Sequence, residues 1–421
     1  MVARHGRALA EIGIVSALGI VATTAFQIIT IRGLGPASYG LLAAALALIN
    51  VAAIGSSALR NSVAVGTAEA LHDGLVDRTA PGSVSGRRRL DGSFIEALVL
   101  GGIGTLGVFA LSSTLAAPGV LGLVTVLLTA AAMIPNFLFA RAQGRLQGAG
   151  DSRAVVWWST GAQVAQALLA LVAVLLHAES SAILAILVVT ALAGAIGASL
   201  QARREALPLG GRPFTLNSTV VLLLTIGFAW LTNADVVLVR AGTPQDVAGA
   251  YAAAAVLIKT TLIVPATFSL YLLPRFVRSR GNAALTNLGV TVILAITALT
   301  GVAMFLIVLV AGGWIVGLLF GSHYALTGQI VVGFSIAWIP WALAQGILVR
   351  ITAAASRVGV AVFAVAALAQ WAAASLTLPD IDAWLVANGL IGLFVFVSLY
   401  AIHFVLLRRH RTLAPAEPVA D

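Results

Sequence analysis

Two ionisable residues stand inside stretches that are otherwise apolar. Lys259 lies in Val256-Leu257-Ile258-Lys259-Thr260-Thr261 and is the one Lys among 24 basic residues. Counted from Gly249 it is ten residues into its segment, about 15 Å deep at 1.5 Å per helical residue. Asp235 sits in Leu231-Thr232-Asn233-Ala234-Asp235-Val236, about one turn from the outer end of the preceding segment. An ionisable group at the centre of a bilayer costs about 2.5–3.5 kcal/mol on insertion scales, so such groups face a cavity and mark a pathway. Lys259 is too deep to snorkel to either surface and reads as a cavity residue. Asp235 could pair with Lys259 or Arg240, or take up a proton; a purely structural tie between neighbouring helices is the competing reading. Arg60 lies toward the inner end of its segment, where snorkelling of its stem competes with a cavity role. Arg32 and Arg240 stand at the outer rim, where they could simply anchor. Glu11, Glu69 and Glu96 fall at inner helix ends and are expected to stay solvated.

The elements carrying these charges must be membrane helices. Of 421 residues, 60% are apolar and only 9% charged, against about 25% charged in an average soluble domain. The mean hydropathy is +1.04. A net charge of +9 would suggest nucleic acid in a soluble chain, but too few charges exist here to coat a water-facing surface. With no Cys, a disulfide scaffold is excluded as well. A bilayer core about 30 Å thick needs roughly 20 apolar residues per helix, and twelve such runs are present. The first six lie near Glu11–Ile31, Tyr39–Leu59, Ser93–Leu115, Gly119–Phe139, Val155–Leu176 and Ser180–Leu200. The second six lie near Leu216–Val239, Gly249–Leu273, Leu285–Ala311, Ala325–Val349, Val358–Leu376 and Ala383–Leu407. The basic start (Arg4, Arg7) invites a signal-peptide reading, but the run is too long and lacks a small-residue cleavage site, so it is expected to be retained.

Orientation follows from the basic residues. Twenty of the 24, from Arg4 to Arg411, fall on the side of the N-terminus; Arg32 and Arg240 fall on the other, and Arg60 and Lys259 within or at the ends of helices. Both termini are therefore expected to be cytoplasmic. The run Arg87-Arg88-Arg89 reads as an orientation signal in an inner loop.

Two stretches recur at nearly the same offset. Ile31-Arg32-Gly33-Leu34-Gly35-Pro36, followed by Tyr39-Gly40, is echoed by Val239-Arg240-Ala241-Gly242-Thr243-Pro244, followed by Gly249-Ala250-Tyr251. Ala142-Gln143-Gly144-Arg145-Leu146 is echoed by Ala344-Gln345-Gly346-Ile347-Leu348. Six helices per half is an even number, so the repeats are parallel, an arrangement suited to alternating access around a central cavity. The lobes are expected at residues 1–212 and 213–408, with a disordered tail over 409–421. Pro135, Pro265 and Pro340 interrupt helices 4, 8 and 10 and are candidate hinges, with tolerated membrane-helix prolines as the alternative. The Gly-rich stretches 101–104 and 194–197 are suited to close helix packing. The six His show no metal-ligand spacing with Asp or Glu, so no metal and no cofactor is expected. No phosphate-cradling Gly loop precedes a Lys, and no enzyme activity is expected.

Several of these motifs together resemble the polysaccharide-export flippases, the O-antigen-type branch of the multidrug/oligosaccharidyl-lipid/polysaccharide exporter superfamily. Arg32-Gly33-Leu34-Gly35-Pro36-Ala37-Ser38-Tyr39-Gly40 is similar to the turn after that family's first helix. Ala58-Leu59-Arg60-Asn61 resembles the end of its second, and Arg145-Leu146-Gln147-Gly148 the end of its fourth. The series Asn233 to Leu238, Gly249-Ala250-Tyr251, Lys259 and Pro274-Arg275 is similar to its helix 7–8 signature, and Leu319-Phe320-Gly321-Ser322-His323-Tyr324 to an outer loop. The resemblance implies an all-α polytopic membrane protein with twelve helices in two six-helix lobes around a central cavity. It further implies export of a polyprenyl-diphosphate-linked saccharide from the cytoplasmic to the outer leaflet of a bacterial cytoplasmic membrane. Lys259, Arg60, Arg32 and Arg240 would then hold the diphosphate, and Asp235 would couple the cycle or tether Lys259. Implied partners are the lipid-linked substrate, membrane lipids and polysaccharide polymerases or glycosyltransferases, with no nucleic acid. The fourteen-helix peptidoglycan-precursor branch has two helices more than this chain. A multidrug or metabolite cation antiporter is the alternative, although such an exporter should carry unpaired acids in the membrane.

Overall fold

The computed structural model describes residues 2–72, 91–115, 120–205, 216–262 and 283–413. Pro265, Arg87-Arg88-Arg89 and residues 414–421 lie outside them. The described elements are helices throughout, in the order α1 (Val2–His72), α2 (Gly92–Ala110), α3 (Ser112–Leu115), α4 (Val120–Gly148), α5 (Ser152–Leu175), α6 (Ser180–Arg204), α7 (Leu216–Leu231), α8 (Ala234–Gly242), α9 (Gln245–Lys259), α10 (Ala283–Phe320), α11 (Ala325–Ala353), α12 (Arg357–Thr377) and α13 (Ile381–Leu413). Ten spans among the described residues are long and apolar enough to cross a membrane. The first, Ile14–Ala68, has 55 residues, roughly 80 Å of helix against a bilayer core of about 30 Å, and so provides two crossings. The eighth apolar run, Gly249–Leu273, is described only as far as Leu262, in α9 and the 3₁₀ turn that follows it. The chain is an all-α, multi-pass membrane protein.

The helix ends depart from the hydropathy reading in instructive ways. The first two runs meet as two arms of α1 at Gly35, whose φ of 69° and ψ of 167° are non-helical and end the first arm. Only glycine takes that left-handed backbone without a steric penalty, and Pro36 then opens the return arm, where its missing N–H is harmless. In the echoed position, extended Thr243 (φ −135°, ψ 162°) and Pro244 separate α8 from α9. The seventh run is not one helix but two, α7 and α8, broken at Thr232–Asn233. The stretch 312–324 between the ninth and tenth apolar runs is mostly helix, since α10 continues to Phe320. Pro135 and Pro340 lie within α4 and α11.

By contacts the chain forms two compact units, Met1–Leu222 and Leu223–Asp421. In the first, α4 is the hub, packed on α1, α2 and α6. Glycines permit this: a Cβ on Gly101 would stand 2.8 Å from the Ile134 Cα, and on Gly194 3.0 Å from the Phe139 ring, whereas Gly102 faces open space. In the second unit α11 is the hub, packed on α9, α10 and α13.

One charged cluster ties α2 to α4. Asp91 caps α2 by accepting from the Ser93 N–H at 3.1 Å and Oγ–H at 2.6 Å, and it forms an ion pair with Arg141. Arg141 also donates through Nε to Ser93 Oγ at 3.0 Å and lies over the Phe94 ring. Burial pushes the Asp91 carboxyl up, but the Ser93 hydrogen bonds and the charges of Arg141 and Arg145 pull it further down, leaving it below its ordinary value. A depressed carboxylate pKa contributes stability above the unfolded value, about 3.9, and loses it as pH falls through the folded value. Thermal unfolding in detergent should therefore shift down as pH drops below about 4, and Asp91→Asn should flatten that shift while lowering the midpoint at neutral pH. Glu96, expected to be solvated, is only 9% exposed, because α2 starts at Gly92 and carries Glu96 on the face that also buries Ser93 and Ala97.

Candidate functional site

The break between α7 and α8 begins with residue chemistry. Thr232 and Asn233 are weak helix formers whose short polar side chains compete for backbone groups. The Thr232 hydroxyl donates to the Phe228 carbonyl at 2.9 Å and the Asn233 amide to the Ala229 carbonyl at 2.8 Å. Val236 N–H then turns to the Asn233 carbonyl, releasing the Thr232 carbonyl that a continuous helix would have engaged. In a membrane a released backbone carbonyl must find another donor. Lys259 supplies it, donating to the Thr232 carbonyl at 2.7 Å. Gln370 Nε2 serves the neighbouring Leu231 carbonyl at 2.9 Å and also donates to Asn388 Oδ1 at 3.0 Å.

The break places Asp235 in the first turn of α8, facing α9. Lys259 Nζ pairs with Asp235 Oδ1 at 2.7 Å, with the carboxylate side chain fully buried and the Lys side chain 17% exposed. Tyr251, two turns before Lys259 on α9, donates its hydroxyl to Asp235 Oδ2 at 3.1 Å and accepts from Trp384 Nε1 at 3.1 Å. Both carboxylate oxygens are thus occupied. The Lys259 ammonium also lies 4.6 Å from the centre of the Trp338 ring. Trp338 continues an aromatic row, with Phe334 at 5.3 Å and Trp341 at 6.1 Å between ring centres. Its own buried indole N–H has no acceptor among the described residues. The result is a buried cation held by an acid, a carbonyl and an aromatic face, all contacts an incoming anion can compete for.

Of the residues singled out in the sequence, the fold joins Asp235 to Lys259. It does not join Arg240 to either by a hydrogen bond or ion pair among the described residues. Arg240 is also not at a solvated rim: it is 8% exposed, because α8 buries every residue from Ala234 to Arg240. Its counterpart Arg32 is exposed, so the echoed positions differ in environment. Arg60 lies on the second arm of α1, half-buried, with Nε lacking a hydrogen-bond partner among the described residues. Trp338, Trp384, Gln370 and Asn388 were not singled out. Gln370 and Asn388 carried a usable signal, as polar residues in the middle of apolar runs; the tryptophans did not, since membrane helices hold many.

No family model matches the chain, and no curated protein matches its sequence. Solved structures do. A lipid II flippase, MurJ, in an inward closed conformation is 12% identical with a TM-score of 0.62, over 95% of this chain and 90% of that one. An inward-facing multidrug resistance MATE transporter of the MOP superfamily is 14% identical with a TM-score of 0.59, over 93% and 96%. A MOP superfamily transporter from Pyrococcus furiosus, described by the reversed polarity of its binding pocket, is 13% identical with a TM-score of 0.57, over 96% of each. The chain therefore has the fold of these MOP transporters along nearly its whole length.

Proposed function

We propose that this chain is an alternating-access flippase that moves a polyprenyl-diphosphate-linked saccharide from the cytoplasmic to the outer leaflet of a bacterial cytoplasmic membrane. The observation that carries this reading is the Lys259 ammonium, part-buried and held by internal acceptors that a stronger anion can replace. A lipid diphosphate bears two or more negative charges and polar sugars, so crossing hydrocarbon unaided is prohibitive. In a low-dielectric site a charge-assisted contact to its oxygens is worth far more than in water. Lys259 supplies that contact, and the unpaired indole N–H of Trp338 is a second nearby donor. Asp235 tethers Lys259 when the site is empty. Arg60, Arg32 and Arg240 are assigned to later or earlier stations of the diphosphate, and Pro135, Pro265 and Pro340 to hinges. The lobes 1–212 and 213–408 alternate access, and polymerases or glycosyltransferases consume the exported lipid.

A second reading has an observation of its own. Once released from Lys259, the fully buried Asp235, with Tyr251 on it, Trp384 on Tyr251 and Trp338 against the ammonium, could instead hold an organic cation, as a drug or metabolite cation antiporter would need. Lipid analysis after depletion of the protein separates the two. A polyprenyl-diphosphate saccharide should accumulate, and its mass would identify the cargo. Unchanged pools of every such lipid would transfer the assignment to the cation antiporter.

A further inference from the structure

Away from the Lys259 site, helices α5 and α6 of the first unit enclose a cleft of about 630 Å³. Its walls are small residues: Gly161, Ala162 and Ala165 on α5, Ala193 and Gly194 on α6. At Gly161 nothing lies within 4 Å of where a Cβ would stand, so the cleft is open there and not filled by a neighbouring side chain. At the deep end Gln166 Nε2 donates to Thr190 Oγ1 at 2.9 Å and bridges the two helices. At the shallow end the lining turns polar, with Asp151, Arg153, Trp157 and Gln201. From Asp151 to Ala165 the cleft follows α5 for about 21 Å at 1.5 Å per residue, enough to take a chain through one leaflet, roughly 15 Å of a 30 Å hydrocarbon core.

The polar rim holds one ion pair and a second carboxylate bonded to neutral donors. Arg153 Nε donates to Glu11 Oε1 at 2.7 Å, and Trp157 Nε1 to the same oxygen at 3.0 Å. Asp151 Oδ1 accepts from the Ala154 N–H at 2.9 Å, and Oδ2 from Gln201 Nε2 at 3.4 Å. Gln201 also donates to Glu205 Oε1 at 3.1 Å and accepts from Trp158 Nε1 at 2.8 Å. The Arg153 side chain is 66% exposed, that of Glu11 31%. Such an exposed pair is weakly held and is easily exchanged for an external partner of the same charge pattern.

We infer that this cleft is a binding site for a zwitterionic phospholipid bearing a primary amine, of the phosphatidylethanolamine class. One acyl chain lies along Gly161, Ala165 and Gly194, and the phosphate takes Arg153. The ammonium takes the carboxylates of Glu11 and Asp151. Trp157, half exposed at the mouth, sits at the headgroup level where tryptophans of membrane proteins concentrate. An anionic headgroup without an amine would leave the two rim carboxylates facing a like charge. This lipid site is independent of the cargo site and holds whichever cargo the protein carries.

The test is native mass spectrometry of the full chain in detergent supplied with equimolar phosphatidylethanolamine and phosphatidylglycerol. The wild type retains phosphatidylethanolamine by about tenfold over phosphatidylglycerol, the effect of one net charge-assisted contact. Gly161→Leu fills the open cleft and abolishes the retention, with its thermal midpoint unchanged. Glu11→Gln, which removes a partly exposed carboxylate that takes the ammonium, reduces the preference even if Gly161→Leu proves unstable. Equal retention of the two lipids by the wild type overturns the inference. So does wild-type retention in a folded Gly161→Leu, or an undiminished preference in Glu11→Gln.

Discussion

Lys259→Ala is expected to abolish accumulation of lipid-linked saccharide in the outer leaflet and, unlike a surface substitution, to destabilise the protein. Asp235 is fully buried, and after the substitution its carboxylate would keep only the Tyr251 hydroxyl. Removing one partner of a buried ion pair costs about 3–5 kcal/mol, because the other charge is stranded. The Thr232 carbonyl would lose its donor as well, adding about 1–3 kcal/mol. Loss of function alone is therefore ambiguous, and the double variant Lys259→Met with Asp235→Asn resolves it. With both charges gone, an amide at 235 still accepts from Tyr251, and thermal stability should recover most of the loss. Binding of an isoprenyl diphosphate, followed by tryptophan fluorescence through Trp338, should stay lost. Normal outer-leaflet lipid-linked saccharide in a folded Lys259→Ala would overturn the assignment of Lys259. The cation-antiporter reading predicts the opposite sign for ligand binding: Lys259→Met leaves Asp235 and its aromatic walls free, and organic cations should bind more tightly.

The second large effect concerns the contact that positions Arg60. A Cβ on Gly144 of α4 would stand 2.6 Å from the Arg60 carbonyl oxygen, and one on Gly148 2.4 Å from that of Ala64. Four residues apart, these glycines form the small-xxx-small pattern that lets membrane helices approach backbone to backbone. Since the obstacles are main-chain atoms, a side chain can be admitted only by separating α4 from α1. Overpacking costs about 1–3 kcal/mol where neighbours can shift, and Gly148→Val should reach or exceed the upper end. Its thermal midpoint in detergent should fall well below that of Gly102→Ala, whose new methyl would meet open space. Equal midpoints for the two variants would show that the helices do not meet as closely as described.

Much of the fold was legible because hydropathy is a local property. Among the described residues the apolar runs are helical over most of their length, and the Gly35-Pro36 and Thr243-Pro244 turns were visible as residue types. Helix ends were less legible. α10 stays apolar to Phe320, and nothing in its composition marks where it leaves the bilayer. The break at Thr232–Asn233 was also hidden, since two polar residues in an apolar run are equally compatible with a continuous helix. What opens it is the supply of donors from elsewhere in the unit, Lys259 on α9 and Gln370 on α12.

The sequence alone therefore determined that this is a polytopic helical membrane protein, and that Lys259 and Asp235 are too costly in hydrocarbon to be incidental. Those conclusions follow from transfer free energies, which depend on residue type and run length. Only the tertiary structure decided which partners they take. Asp235 meets Lys259 and Tyr251 and not Arg240, five residues along its own chain, and Arg240 is buried while its echo Arg32 is exposed. Pairing is a matter of where side chains of different helices converge, and a broken α7–α8 with α9 folded against it sets that convergence.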